Sequence, residues 1–176
     1  MGMSFAFTHM FVPWLLGKGY ESVRKKELSR WTFFFLILGG ILPDADYLLD
    51  WTLGTDVHRT FTHSLFFVVL GGVLLYGGGA FFWNDPGERK MMALALSGGI
   101  LTHLLLDMYG GPGVPLLWPN TLRFTYHSIH PPTGAPGLLE ITSVSTLQHI
   151  VKNAVADMGL GTFWIFFLWW RKRLRW

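Results

Sequence analysis

Four small groups of His and Asp carry most of the chemistry this sequence can do. Thr102-His-Leu-Leu-Leu-Asp107 sets an imidazole and a carboxylate four residues apart in an apolar segment. A helix places both on one face, roughly 6 Å apart along its axis. They can bind one divalent cation together, or hydrogen-bond to each other inside a bundle. His58-Arg-Thr-Phe-Thr-His63-Ser64 lies directly before the longest apolar run. Thr62 or Ser64 can cap the helix that follows. That puts His63 near a helix amino terminus, where the dipole disfavours imidazolium and so favours the neutral, ligating form. Two interfacial histidines are the alternative there. In Leu42-Pro-Asp-Ala-Asp46 the two carboxylates share a side if the chain is extended but diverge if it is helical, so one of them is expected to ligate. The alternative is an acidic helix start after Pro43. His9 forms the fourth group, early in the chain.

The elements that must position these residues are apolar. Of 176 residues 51% are hydrophobic, 16% aromatic and 14% charged, with a mean hydropathy of +0.35. A soluble domain carries about 25% charged residues, so an all-α, polytopic membrane bundle is expected. Sparse, clustered charge excludes disorder and an extended nucleic-acid-binding face, and no direct nucleic-acid binding is expected. The chain has no cysteine, which excludes disulfides, thiolate metal sites and thiol nucleophiles. Any metal must use His, Asp or Glu.

Five apolar stretches can be read: Phe5–Gly17, Trp31–Leu42, Ser64–Trp83, Met91–Tyr109 and Ala154–Trp170. Ser64–Trp83 is long enough to match a bilayer core of about 30 Å; the first two are short. Basic residues follow the first stretch rather than precede it, unlike a cleavable signal peptide. Eleven of the fourteen Lys and Arg fall in 18–30, 84–90 and the tail. The positive-inside rule then puts the carboxyl terminus in the cytoplasm of an inner-membrane, multi-pass protein. The ends of spans two and four, the start of span three and the depth of His9 all come out on the extracytoplasmic side. Ionisable groups clustered there favour a metal site at the outer end of the bundle.

Residues 1–176 read as a single domain, with 110–152 as an extramembrane region covering the bundle's mouth. A three- and four-residue apolar spacing from Leu147 to Met158 suggests an interfacial helix leading into the last span. His127, His130, Glu140 and His149 are ligands, a general base or ordinary loop residues. The glycine pairs 39–40, 71–72 and 98–99 suit close helix packing.

Thr8-His9, Pro43-Asp-Ala-Asp46, His58-Arg59, Thr62-His63-Ser64, His103-x-x-x-Asp107 and Leu117-Trp-Pro119, taken in order over residues 8 to 124, resemble the YdjM/DUF457 family of membrane-bound metal-dependent hydrolases. Thr60 stands where a Gly commonly follows the His-Arg pair. A more distant similarity is to zinc-dependent phospholipase C and P1-type nucleases. It implies Asp46, His63, His103 and Asp107 as ligands of one metal, with Asp107 able to bridge to a second near His9. The His-x-x-x-Glu element of those enzymes is missing, which favours one or two ions over three.

The expected ligands are therefore His9, Asp46, His58, His63, His103 and Asp107, for zinc above all, with Mn, Fe or Mg as alternatives. The expected activity is metal-assisted hydrolysis of a phosphoester such as a phospholipid headgroup, with membrane lipid as partner. Asp44 or Glu140 would accept a proton from water, and Arg59 or Arg123 would pair with the anionic substrate. A divalent-metal or proton transporter and a noncatalytic metal-binding membrane protein are the alternatives.

Overall fold

In a computed structural model, residues 6–53, 59–110, 112–131 and 144–170 are described. Helix α1 spans Ala6–Arg24, α2 Arg30–Ile41, α3 Tyr47–Leu53, α4 Leu65–Gly78, α5 Pro86–Gly110 and α6 Val144–Trp170. Pro43–Asp46 and Phe61–His63 form 3-10 turns between them. The helical expectation holds. By length and composition, however, one described helix is long and apolar enough to cross a membrane, Pro86–Tyr109. The apolar helices Arg30–Ile41, Leu65–Phe81 and Val155–Leu168 are shorter, so the helices do not by themselves give five crossings.

Local sequence explains the helix ends. Pro86 opens α5 where a missing N–H costs nothing, and the Asp85 side chain accepts from the Gly87 N–H at 2.8 Å. The Ser29 hydroxyl accepts from the Thr32 N–H at 3.1 Å and starts α2. The Ser64 hydroxyl does the same for the Phe67 N–H at 3.2 Å and starts α4, so of the two possible caps Ser64 is used. Helix α4 stops at Gly78, short of the apolar run that ends at Trp83, because Gly77-Gly-Gly79 gives the backbone little reason to stay helical. Helix α1 instead continues past its apolar stretch to Arg24, where Lys25 turns left-handed at φ 52° and ends it.

Helix α5 is the central element. Its Leu96, Ile100 and Leu104 are buried, with Phe35 and Leu38 of α2, Leu42 just past its end, and Phe67, Val68 and Leu75 of α4 packed on them. The α2–α5 crossing is tight. A Cβ on Gly39 would lie 2.3 Å from the Leu96 carbonyl oxygen, and one on Gly99 would lie 2.2 Å from that of Leu36. Only glycines allow this approach. Helix α1 crosses α2 at Gly40, where an added Cβ would meet the His9 carbonyl oxygen at 2.1 Å. Pro13, four residues on, has no N–H to give that carbonyl, which leaves room for Gly40 against it.

Residues 112–131 contain one antiparallel pair of two-residue strands, β1 Arg123–Phe124 and β2 Ile129–His130, with Arg123 opposite His130. This region packs onto the start of α4, where the Leu65 N–H donates to the Leu116 carbonyl at 2.9 Å. The Trp118 ring stands edge-on to Phe61 with centroids 5.1 Å apart. The suggested interfacial helix and the last apolar stretch are one continuous helix, α6, which begins at Val144.

Candidate metal centre

Three chain segments meet at the carboxyl end of α5. His103 and Asp107 come from α5 itself, Asp44 from the turn that ends α2, and His63 from the turn that precedes α4. His63 and His103 are fully buried and Asp107 is nearly so. One ligand atom from each of these four residues lies within 4.8 Å of all the others.

Hydrogen bonds fix which imidazole nitrogen faces inward. His103 Nδ1 lies 2.8 Å from the Gly40 carbonyl oxygen, which can only accept, so Nδ1 carries the proton and Nε2 presents a lone pair. His63 Nδ1 faces Asp46 Oδ2 at 3.6 Å and Thr62 Oγ1 at 3.0 Å, while the Thr62 hydroxyl donates to Asp46 Oδ2. Its Nε2 likewise points inward. Carboxylates and carbonyls behind ligating histidines orient the ring in this way at metal sites.

The two inward Nε2 atoms are 3.2 Å apart. Each lies 3.5 Å from Asp44 Oδ1. Asp107 Oδ2 is 3.5 Å from His63 Nε2 and 3.8 Å from His103 Nε2. Four ligands at about 2.0–2.1 Å around a tetrahedral ion stand roughly 3.3 Å apart. Two nitrogens and two oxygens with these spacings fit one divalent cation.

The turn segments also feel each other's charge. Burial alone would raise the Asp44 carboxyl, but the His103 and His63 imidazoles beside it outweigh this and hold it well below the usual carboxylate range. Burial alone would lower His63, and its contacts with Asp44 and Asp46 override this and raise it.

His9 and Arg59 flank Asp107. The His9 ring stacks on His103 with centroids 3.9 Å apart, and its Nε2 lies 3.4 Å from Asp107 Oδ1. Arg59 Nη2 lies 3.0 Å from Asp107 Oδ2. Arg59 reaches it from a left-handed backbone, φ 57°, a conformation uncommon for any residue but glycine.

The two acidic residues of the Pro43 turn are placed on different sides of His63. Asp44, read as a proton acceptor, contributes an oxygen to the four-atom cluster, whereas Asp46, read as a ligand, stands behind His63. The 3-10 turn separates their side chains as the divergence argument requires. His9 sits on the far oxygen of Asp107 rather than among the four. His58 and Glu140, with roles assigned from sequence, lie outside the described residues. Arg123 donates to the Gly113 carbonyl at 3.2 Å within the 112–131 region. His127 is exposed, and His130 Nδ1 donates to the Pro131 carbonyl at 2.9 Å. Thr62 and the Gly40 carbonyl are contributors that sequence reasoning passed over. Thr62 was weighed only as a cap, and a backbone oxygen leaves no mark on residue type.

The family described as YdjM inner membrane protein matches residues 3–174. The chain belongs to that family. The Escherichia coli (strain K12) inner membrane protein YdjM is 41% identical over 112 residues, covering 56% of this chain and 54% of that protein. The Shigella flexneri protein of the same name matches equally. The uncharacterized protein YvsG of Bacillus subtilis (strain 168) is 35% identical over 66 residues, 38% of this chain and 36% of that one. The chain thus spans about half the length of the curated YdjM relatives it matches. No solved structure matches. This YdjM-family chain is a membrane protein with a cluster of Asp and His able to hold a metal ion.

Proposed function

We propose that this protein is a membrane-bound, metal-dependent hydrolase of phosphoesters, with a lipid headgroup as the natural substrate class. The observation that carries the reading is the convergence of two imidazole nitrogens and two carboxylate oxygens from three segments, each imidazole oriented by a partner behind it. Asp44, His63, His103 and Asp107 would hold one divalent ion, zinc before Mn, Fe or Mg given nitrogen and oxygen donors without sulfur. Such an ion supplies Lewis acidity towards a phosphoryl oxygen and makes water acidic enough to react near neutral pH.

The chain's own residues do the rest. His9 and Arg59 brace the two oxygens of Asp107 from opposite partners. The Arg59 guanidinium also sets a permanent positive charge beside the cluster, suited to an anionic phosphoryl group. Asp44, about a third exposed, is the cluster residue on the open side and marks where substrate would enter. In the reading we favour, the bundle is embedded with this end on the extracytoplasmic side and the carboxyl terminus in the cytoplasm. The apolar packing of Leu96 and Ile100 directly beneath His103 supports a closed site over an ion pathway, which needs polar groups to continue inward.

The test is hydrolysis. Purified, metal-replete protein should release phosphate or a phosphorylated headgroup from a lipid phosphoester, and a chelator should abolish the release. If a broad panel of phospholipids and nucleotides stays intact while divalent ions cross proteoliposomes down a gradient, a transporter replaces this reading.

A further inference from the structure

Asp157 is an acidic residue in the otherwise apolar second half of α6, and nothing in the proposed chemistry uses it. Its carboxylate is half-buried. It lies against the first turn of α1, 149 residues away in sequence. Oδ1 accepts from the Thr8 N–H at 2.9 Å and from the Thr8 hydroxyl at 2.6 Å. Oδ2 accepts from the Phe7 N–H at 3.2 Å. The first N–H groups of a helix have no partner within it, and the helix dipole favours a negative charge there. In an apolar setting an unmet N–H is expensive, so a carboxylate that serves two of them is a strong tie. Here the acceptor comes from another helix.

The residue after Thr8 is His9, whose imidazole stacks on His103 and contacts Asp107. Around the tie, Phe7 and Phe11 pack against Trp164 of α6 with centroids 5.5 and 6.2 Å apart. These ring contacts hold the helices together but set no position along the α1 axis. The three hydrogen bonds do, because each is directional and all three end on one turn.

We propose that Asp157 is a positioning residue for the metal centre: it fixes the axial position of the first turn of α1 and thereby the contact of His9 with Asp107. The role rests on the metal reading above. His9 braces Asp107 Oδ1 while Oδ2 faces the cluster, so a slip of α1 loosens a ligand that α1 does not itself supply.

The test is a double-mutant cycle on the full-length protein in detergent, read by the dissociation constant for Zn²⁺ and by the ligand-field spectrum of the Co²⁺-loaded form. Asp157→Ala is expected to weaken Zn²⁺ binding about tenfold, the lower end for partners outside the ligand set, and to shift the Co²⁺ bands. Asp157→Asn, which keeps an acceptor oxygen for Thr8, should recover most of the affinity. In a His9→Ala background Asp157→Ala should have no further effect on Zn²⁺ binding, since the group it positions is gone. Equal weakening in both backgrounds would show a general loss of stability and overturn the proposal. Unchanged affinity in Asp157→Ala, with wild type binding normally, would overturn it too. A wild type that takes up neither ion overturns the metal reading itself, which separates the two failures.

Discussion

Gly99→Ala should damage the metal centre from a turn away, without touching a ligand. The added Cβ would sit 2.2 Å from the Leu36 carbonyl oxygen and 2.9 Å from the Gly39 Cα, where ordinary contact begins near 3.4 Å. Both neighbours are backbone and cannot rotate aside, so α2 and α5 must part by roughly 1 Å, at a cost of about 1–3 kcal/mol for overpacking. The gain in helix propensity from Gly to Ala returns at most about 1 kcal/mol. Gly40 follows Gly39, and its carbonyl accepts from His103 Nδ1 at 2.8 Å. A 1 Å separation takes that bond out of range and frees the ring. Loss of such an orienting partner costs about 10- to 100-fold in metal affinity. Gly77→Ala is the matched control, because a Cβ there meets nothing within 4 Å. Competition against a chromophoric chelator gives the affinity, and thermal unfolding in detergent gives the stability. Wild-type affinity in Gly99→Ala would refute the claim that this crossing sets His103.

Asp46→Ala should lower metal affinity by about 10- to 100-fold although Asp46 is outside the four-atom cluster, because it removes the acceptor behind His63 Nδ1; chelator competition reads this, and an unchanged affinity would make Asp46 a bystander. Arg59→Gly should keep the loop, since φ 57° suits glycine, and at saturating metal, so that the lost brace on Asp107 does not empty the site, should cost about 10²- to 10³-fold in turnover of a lipid phosphoester, with KM and kcat measured separately. Retained turnover in that variant would remove Arg59 from the reaction. For the membrane orientation, a cysteine at exposed Ser128 should react with an impermeant thiol reagent in intact cells and one at exposed Gly87 should not; the reverse pattern would invert the proposed topology.

His103 and Asp107 were legible because an i,i+4 spacing on a helix leaves little freedom in where two side chains go. His63 was legible through its place before a cappable apolar run. The choice between Asp44 and Asp46 was not, since two residues apart they exchange faces between strand, α-helix and 3-10 turn, and Pro43 only says that a turn begins. The true lengths of the helices were also obscured. Apolar composition runs through Gly77-Gly-Gly79 without registering that three glycines end α4, and it stops at Gly17 although α1 is carried on by polar helix formers and a Lys18–Glu21 pair at 2.7 Å. Asp157 had no role read from sequence. Its partner on α1 is a backbone turn, and no pattern of side chains encodes that.

The central claim is that one divalent ion is held by Asp44, His63, His103 and Asp107. Elemental analysis of purified protein, wild type beside His63→Ala and Asp107→Asn, tests it most directly. The account predicts close to one equivalent of a divalent metal per wild-type chain, zinc foremost, and loss of most of it in both variants. Folded wild-type protein without bound metal, or both variants retaining a full equivalent, would contradict it.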